Sequence, residues 1–152
     1  MKNPKFIIIG TVFIVTGLLL AVYFLAQKDL LSFFDKKENI SKANLEQQIN
    51  EEGAVSVMVL PKNITMVSPW EFEISLDTHS VELNQDLKQV SILSDDKGNE
   101  YNPIRWVGPD SGGHHLEGVL IFQAINPLPS YIELTIENIG GVSKRLFKWD
   151  IK

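Results

Sequence analysis

Residues 69–80 read Pro69-Trp70-Glu71-Phe72-Glu73-Ile74-Ser75-Leu76-Asp77-Thr78-His79-Ser80. The first part alternates without a break. Trp70, Phe72, Ile74 and Leu76 fall on one side, and Glu71, Glu73, Ser75 and Asp77 on the other. A period of two is the pattern of a strand with one face buried and one face wet. The last four residues, Asp77 to Ser80, are all polar and sit where such a strand should end. The strand decides the fold class, and its polar tip is the first candidate for a site.

The same rhythm continues on both sides of this stretch. Val55, Val57 and Val59 alternate before Pro61. Gln89–Ser94 is followed by Asp95-Asp96-Lys97-Gly98-Asn99, which is strong turn chemistry. Glu100–Val107 pairs back, and Pro103 within it predicts an edge strand, because proline cannot donate to a ladder. Leu116–Ala124 is nearly all apolar, Asn126–Ser130 breaks it, and Ile132, Leu134 and Ile136 alternate with Glu133, Thr135 and Glu137. Gly140-Gly141 turns the chain into a last strand with Arg145, Phe147, Trp149 and Ile151 on one face. Seven strands in about 100 residues predict an all-β domain, an immunoglobulin-like antiparallel β-sandwich over 54–152.

The N-terminal third is different. Residues 6–26 carry no charge, and about 20 apolar residues suffice to cross the hydrocarbon core as a helix. The run is too long, and Leu19 and Phe24 too large before Ala21 and Ala26, for a cleaved signal peptide. It reads as a transmembrane signal-anchor, with residues 1–5 inside the cell and the bulk of the chain outside. Residues 27–53 then form a stalk. Leu45 and Ile49, four apart in a polar stretch, fit a short helix, and a flexible tether fits equally.

Composition limits the partners. The chain has 152 residues, 44% hydrophobic and 22% charged, which is ordinary for a globular protein. Without cysteine it has no disulfide, thiolate metal site or cysteine nucleophile. Beyond the anchor 12 basic residues face 19 acidic ones, a balance of −7. Such a body is repelled by nucleic acid and anionic lipid surfaces, so the expected partners are the membrane through the anchor and a protein of the envelope.

Strand parity adds a spatial expectation. If consecutive strands run antiparallel, the tip at 77–80, the loop 108–115 and the turn 139–141 share one end. The first strand also begins there, so the stalk should enter at that end and hold it toward the membrane. All three histidines, His79, His114 and His115, lie in these loops. Asp77, His79, His114 and His115 are therefore candidate ligands for zinc or copper(II), since nitrogen and oxygen donors without thiolate or thioether suit those ions. Local turn chemistry also explains the same residues: Asp77 and Thr78 can bond nearby backbone, and Gly112 and Gly113 can supply positive φ. A recognition surface built from end loops is a further reading. Catalysis is not expected, because a strand sends His79 and Ser80 to opposite faces. Trp70 and Trp149 belong to the core by their alternation, and Trp106 sits beside the glycine loop. Asn39-Ile40-Ser41 and Asn63-Ile64-Thr65 are glycosylation sequons, relevant only in a eukaryotic secretory pathway.

The segments WEFEISLDTHS and GGHHLEGVLIF, with the closing IGGVSKRLFKW, resemble those of small membrane-anchored or secreted prokaryotic domains of uncharacterised activity. The likeness covers about residues 54–151 and implies an envelope location. It brings no activity with it. The sequence thus predicts a non-enzymatic, membrane-anchored extracytoplasmic binding module, with a metal at the histidine loops as one form and a metal-free interaction or structural domain as the other.

Overall fold

The computed structural model describes residues 20, 22–25, 27, 28 and 45–151. The chain divides into two compact units, Met1–Asn39 and Ile40–Lys152. In the first, the described residues are helical, and the Gln27 amide donates to the Tyr23 hydroxyl at 2.8 Å. Among the described residues no helix is long and apolar enough to cross a membrane. The span expected over 6–26 lies for the most part outside them.

The described part of the second unit is all-β, with nine strands in two antiparallel sheets. They are β1 (Gln48–Asn50), β2 (Ser56–Asn63), β3 (Trp70–Asp77), β4 (Ser91–Asp95), β5 (Glu100–Tyr101), β6 (Arg105–Val107), β7 (His115–Phe122), β8 (Tyr131–Ile139) and β9 (Val142–Asp150). One sheet has the order β1-β2-β3-β7-β6 and the other β5-β4-β8-β9. Together they make a sandwich-like fold. Six of the seven foreseen strands are present as single strands, because each has one apolar face to bury.

β3 lies at the centre of the larger sheet, paired along its length with β2 and β7. Its four apolar residues are at most 1% exposed. Phe72 meets Phe122 edge-on at 5.5 Å and Trp149 at 5.9 Å, and Trp149 stacks on Phe147 at 6.4 Å. These rings join the sheets, since β9 belongs to the second. Such aromatic pairs add roughly 0.5–1.5 kcal/mol beyond the area they bury. Trp70 also lies in the core, and its indole N–H donates to Thr65 O at 2.6 Å.

Three features depart from the sequence expectation. The stretch Glu100–Val107 is two strands. β5 pairs with β4 in one sheet and β6 with β7 in the other. Pro103 sits at the crossing, so its missing N–H falls where the chain changes sheet. Both pieces are edge strands, as proline there requires.

The second departure lies in the stalk expected over 27–53. Residues 48–50 are not helical but extend the larger sheet as β1, antiparallel to β2. Leu45 packs against the core, so the domain begins before residue 54. The third departure follows. β1 adds one reversal before β2, which inverts the parity of the approach. Glu46 lies beside Trp149, opposite Ile132 and away from the Ile139–Val142 turn. The chain therefore reaches the sandwich from the side away from the histidine loops. The premise that put those loops toward the membrane is removed.

The β4–β5 turn is built on one carboxylate. Asp95 Oδ1 accepts the N–H groups of Lys97 and Asn99, both at 2.9 Å. Asp95 Oδ2 accepts the Asn99 amide at 2.7 Å and the Tyr101 hydroxyl at 2.9 Å. Burial pushes this carboxyl up, but the bonds from Asn99, Lys97 and Tyr101 outweigh it and hold it down at about 2. A carboxyl held below its unfolded value of 3.8 stabilises the fold above that pH, and the contribution is lost as pH falls toward 2. Asp95→Asn should cost about 1–3 kcal/mol at neutral pH. Urea denaturation should also show the variant losing less further stability than the parent between pH 4 and 2.

Candidate functional site

The end of the sandwich that carries the histidines is assembled by backbone first. Thr78 N–H donates to His114 O at 3.0 Å, Leu83 N–H to Gly113 O at 3.1 Å and Gly112 N–H to Leu83 O at 2.6 Å. Ala54 N–H donates to Gly140 O at 2.9 Å. The three loops predicted to share one end therefore do so. Leu83, bonded to Gly112 and Gly113 through its backbone, is buried in the core, as is Leu87. Gly112 and Gly113 sit at φ 129° and 80°, which only glycine adopts freely, and this lets the loop 108–114 present its backbone to residue 83.

The strand register then decides which side chains meet. β3 and β7 pair so that Asp77 stands opposite His115 and Ser75 opposite Glu117. His115 Nδ1 donates to Asp77 Oδ1 at 2.5 Å; a carboxylate only accepts, so that nitrogen carries the proton. Ser75 donates its hydroxyl to the other oxygen of Asp77 at 3.2 Å. His115 Nε2 lies 3.6 Å from Glu117 Oε2. The three side chains form a row on the outer face of the sheet, each 57–59% exposed.

The other predicted members are elsewhere. β3 ends at Asp77, so the alternation that would have put His79 on the same face lapses. The reason is Thr78. Its side chain turns inward, donates to Ala54 O at 2.6 Å and accepts Ser80 N–H at 3.2 Å. That contact stitches the strand end to the start of β2 and swings His79 and Ser80 into an exposed bend. His114 precedes β7 and takes part through its carbonyl. The proposed ligand set Asp77, His79, His114 and His115 is thus reduced to Asp77 and His115, with Glu117 beside them. Among the described residues no group of three or more His, Asp or Glu side chains is arranged to hold a metal ion.

The Asp–His unit has one further limit. A catalytic triad needs a hydroxyl or thiol at the free imidazole nitrogen, and here Nε2 faces Glu117. What the arrangement does is bias a charge. The hydrogen bond to Asp77, then its negative charge and Glu117, raise His115 above the ordinary histidine value of 6.5. The bond from His115 is the largest influence lowering Asp77. Raised histidine stabilises below the unfolded value and loses that contribution as pH rises through the folded one; lowered aspartate does the reverse. The pair is therefore most favourable between those two titrations, in mildly acidic solution. At such exposure the consequence is a charge state more than a stability.

Trp106 braces the base of the glycine loop. Its N–H donates to Pro109 O at 2.9 Å. A Cβ on Gly108 or Gly118 would lie 2.6 Å from its ring, so these two glycines form the slot that seats it.

Compared with protein-family models, curated proteins and solved structures, the chain matches none.

Two outcomes are expected. In a proton-detected NMR titration His115 should titrate above 6.5, and Asp77→Asn should move it back toward the ordinary value. Gly118→Val should cost roughly 1–3 kcal/mol in chemical denaturation, with a change in Trp106 fluorescence, because the slot is overfilled.

Proposed function

We propose that this protein is a membrane-anchored recognition module of the prokaryotic cell envelope. Its apolar segment 6–26 is a single signal-anchor span, and its C-terminal domain is displayed outside the cell. Its end loops form the contact surface for a protein partner, without catalysis. The observation that carries the reading is the exposed row Asp77–His115–Glu117, set beside the loop 108–114. Histidine charge changes near physiological pH, so a contact made there responds to the acidity outside the cell.

Other features support it. Leu20, Val22, Tyr23, Phe24 and Leu25 are helical and 57–65% exposed, as lipid-facing side chains would be. The order β2-β3-β7-β6 against β5-β4-β8-β9 has the arrangement of the A-B-E-D and C′-C-F-G sheets of immunoglobulin-like domains, with β1 added outside the first. Such domains commonly bind through the loops at one end. On the outer face of the smaller sheet the charges are already matched. Glu133 stands opposite Lys148 and Glu137 opposite Lys144, so these four charges oppose one another across the ladder, with Leu146 exposed between them.

The test is a photo-crosslinking amino acid placed at Ser111 or, as a control, at Leu146 on the outer face of the smaller sheet, in cells expressing the full chain. A discrete product from Ser111, weakened by His115→Ala and absent from Leu146, is expected. No product, or equal products from both, would overturn the reading. Micromolar zinc or copper(II) binding by the full chain, lost in His115→Ala, would replace it with the metal-binding form.

A further inference from the structure

β1 is held differently from every other strand. Three residues pair with β2 on one side. On the other side, β9 reads the segment mainly through side chains. Trp149 Nε1 donates to Glu46 O at 2.7 Å. The Gln48 carboxamide donates to Lys148 O at 2.5 Å and accepts Lys148 N–H at 3.2 Å, standing in for a backbone partner. One terminal nitrogen of Arg145 donates to Asn50 O at 3.2 Å and to Asn50 Oδ1. The other donates to Glu52 O at 2.7 Å and Ile139 O at 3.2 Å. Contacts at 46, 48 and 50 follow the period of an extended chain.

These readers have few alternatives. Arg145 is 1% exposed and Trp149 3%. All four acceptors around Arg145 are carbonyl oxygens, and its Nε has no hydrogen-bond partner. Three of those four belong to residues 50–52. If the segment leaves, a buried cation loses most of its acceptors, Trp149 loses its own, and the edge of β2 opens. Buried polar groups left unpaired are costly, so the groove has a strong requirement for a strand. The requirement is chemical: two carboxamides two residues apart on an extended backbone.

The covalent link contributes little to this recognition. Beyond Glu52 it consists of residues 53–55, and the return turn depends on Gly53. That residue sits at φ 68°, and a Cβ there would meet Gly140 O at 2.5 Å and Val142 Cγ2 at 2.8 Å. A terminal strand on a short, tightly constrained hinge is the arrangement from which strand exchange arises.

We propose that the groove between β2 and β9 is a strand-acceptor site for an extended peptide with the Gln48-x-Asn50 pattern. It is filled in this structure by the chain's own residues 45–52, and it takes the same segment from a second copy of the chain when the return turn is opened. The proposal is independent of the reading of the histidine end.

The test has two arms. Gly53→Val in the full chain blocks the turn and leaves every contact of residues 45–52 available. Sedimentation should show self-association at least roughly tenfold stronger than that of the parent chain, removed when Gln48→Ala is added. A Gly53→Val chain that folds and associates no more than the parent would overturn the proposal. The second arm does not depend on that variant folding. The full chain, cut at a protease site engineered between Glu52 and Gly53, is titrated with a fluorescent peptide of residues 44–53. Saturable exchange is expected, weakened roughly tenfold or more by Gln48→Ala or Asn50→Ala in the peptide. Absence of exchange, or exchange indifferent to both changes, would overturn the proposal.

Discussion

The structure depends on the register of β3 against its two neighbours. Because successive side chains point to opposite faces, a slip of one residue would turn Trp70, Phe72, Ile74 and Leu76 outward and Glu71, Glu73 and Asp77 inward. The burial of four large apolar residues excludes that slip on both sides of the strand at once. The surface follows from the same constraint. Once Phe72 faces Leu120 across the ladder, Asp77 must face His115, five residues along each strand. The exposed pair is therefore positioned by the core, and it needs no energy of its own to be held in place.

Much of this was legible in the sequence for the same reason. Alternation is a local signal, and where one face is buried it fixes strand, face and order together. Parity then places residues 77–80 beside 108–115 from the sequence alone. What parity did not foresee was decided by contacts distant in sequence. β1 is three residues long and carries no apolar alternation; its extended form is imposed by Trp149, Lys148 and Arg145, about 100 residues away. Adding that strand reversed the side from which the chain approaches.

The site was half legible. Counting strands brings Asp77 and His115 to one end, but only the register of β3 on β7 sets them opposite each other. His79 departs from the expected face because that face requires the strand to run past Asp77, and a single hydroxyl, Thr78 Oγ1, reaches Ala54 O where the strand ends. His114 was placed in the right loop, but its neighbour, not itself, begins β7 on the outward face. Arg145 stood among the inward residues of the last strand, where its alternation with Phe147 and Trp149 gave its face but not its partners. A guanidinium on an apolar face is a sign that carbonyl groups wait beneath it, and here they belong to the strand that alternation missed.

β1 also has a mechanical meaning. It lies at the N-terminal margin of the sandwich, held by a ladder on one side and by side chains on the other. A load drawn along its axis from Leu45 falls on all those bonds together, as in shear. A load drawn sideways peels them one after another, beginning at Glu46 and ending at the Arg145 cluster. The same set of hydrogen bonds is thus strong in one direction and weak in the other. The resistance of this domain to a pull at its N-terminal side is a property of direction as much as of bond number.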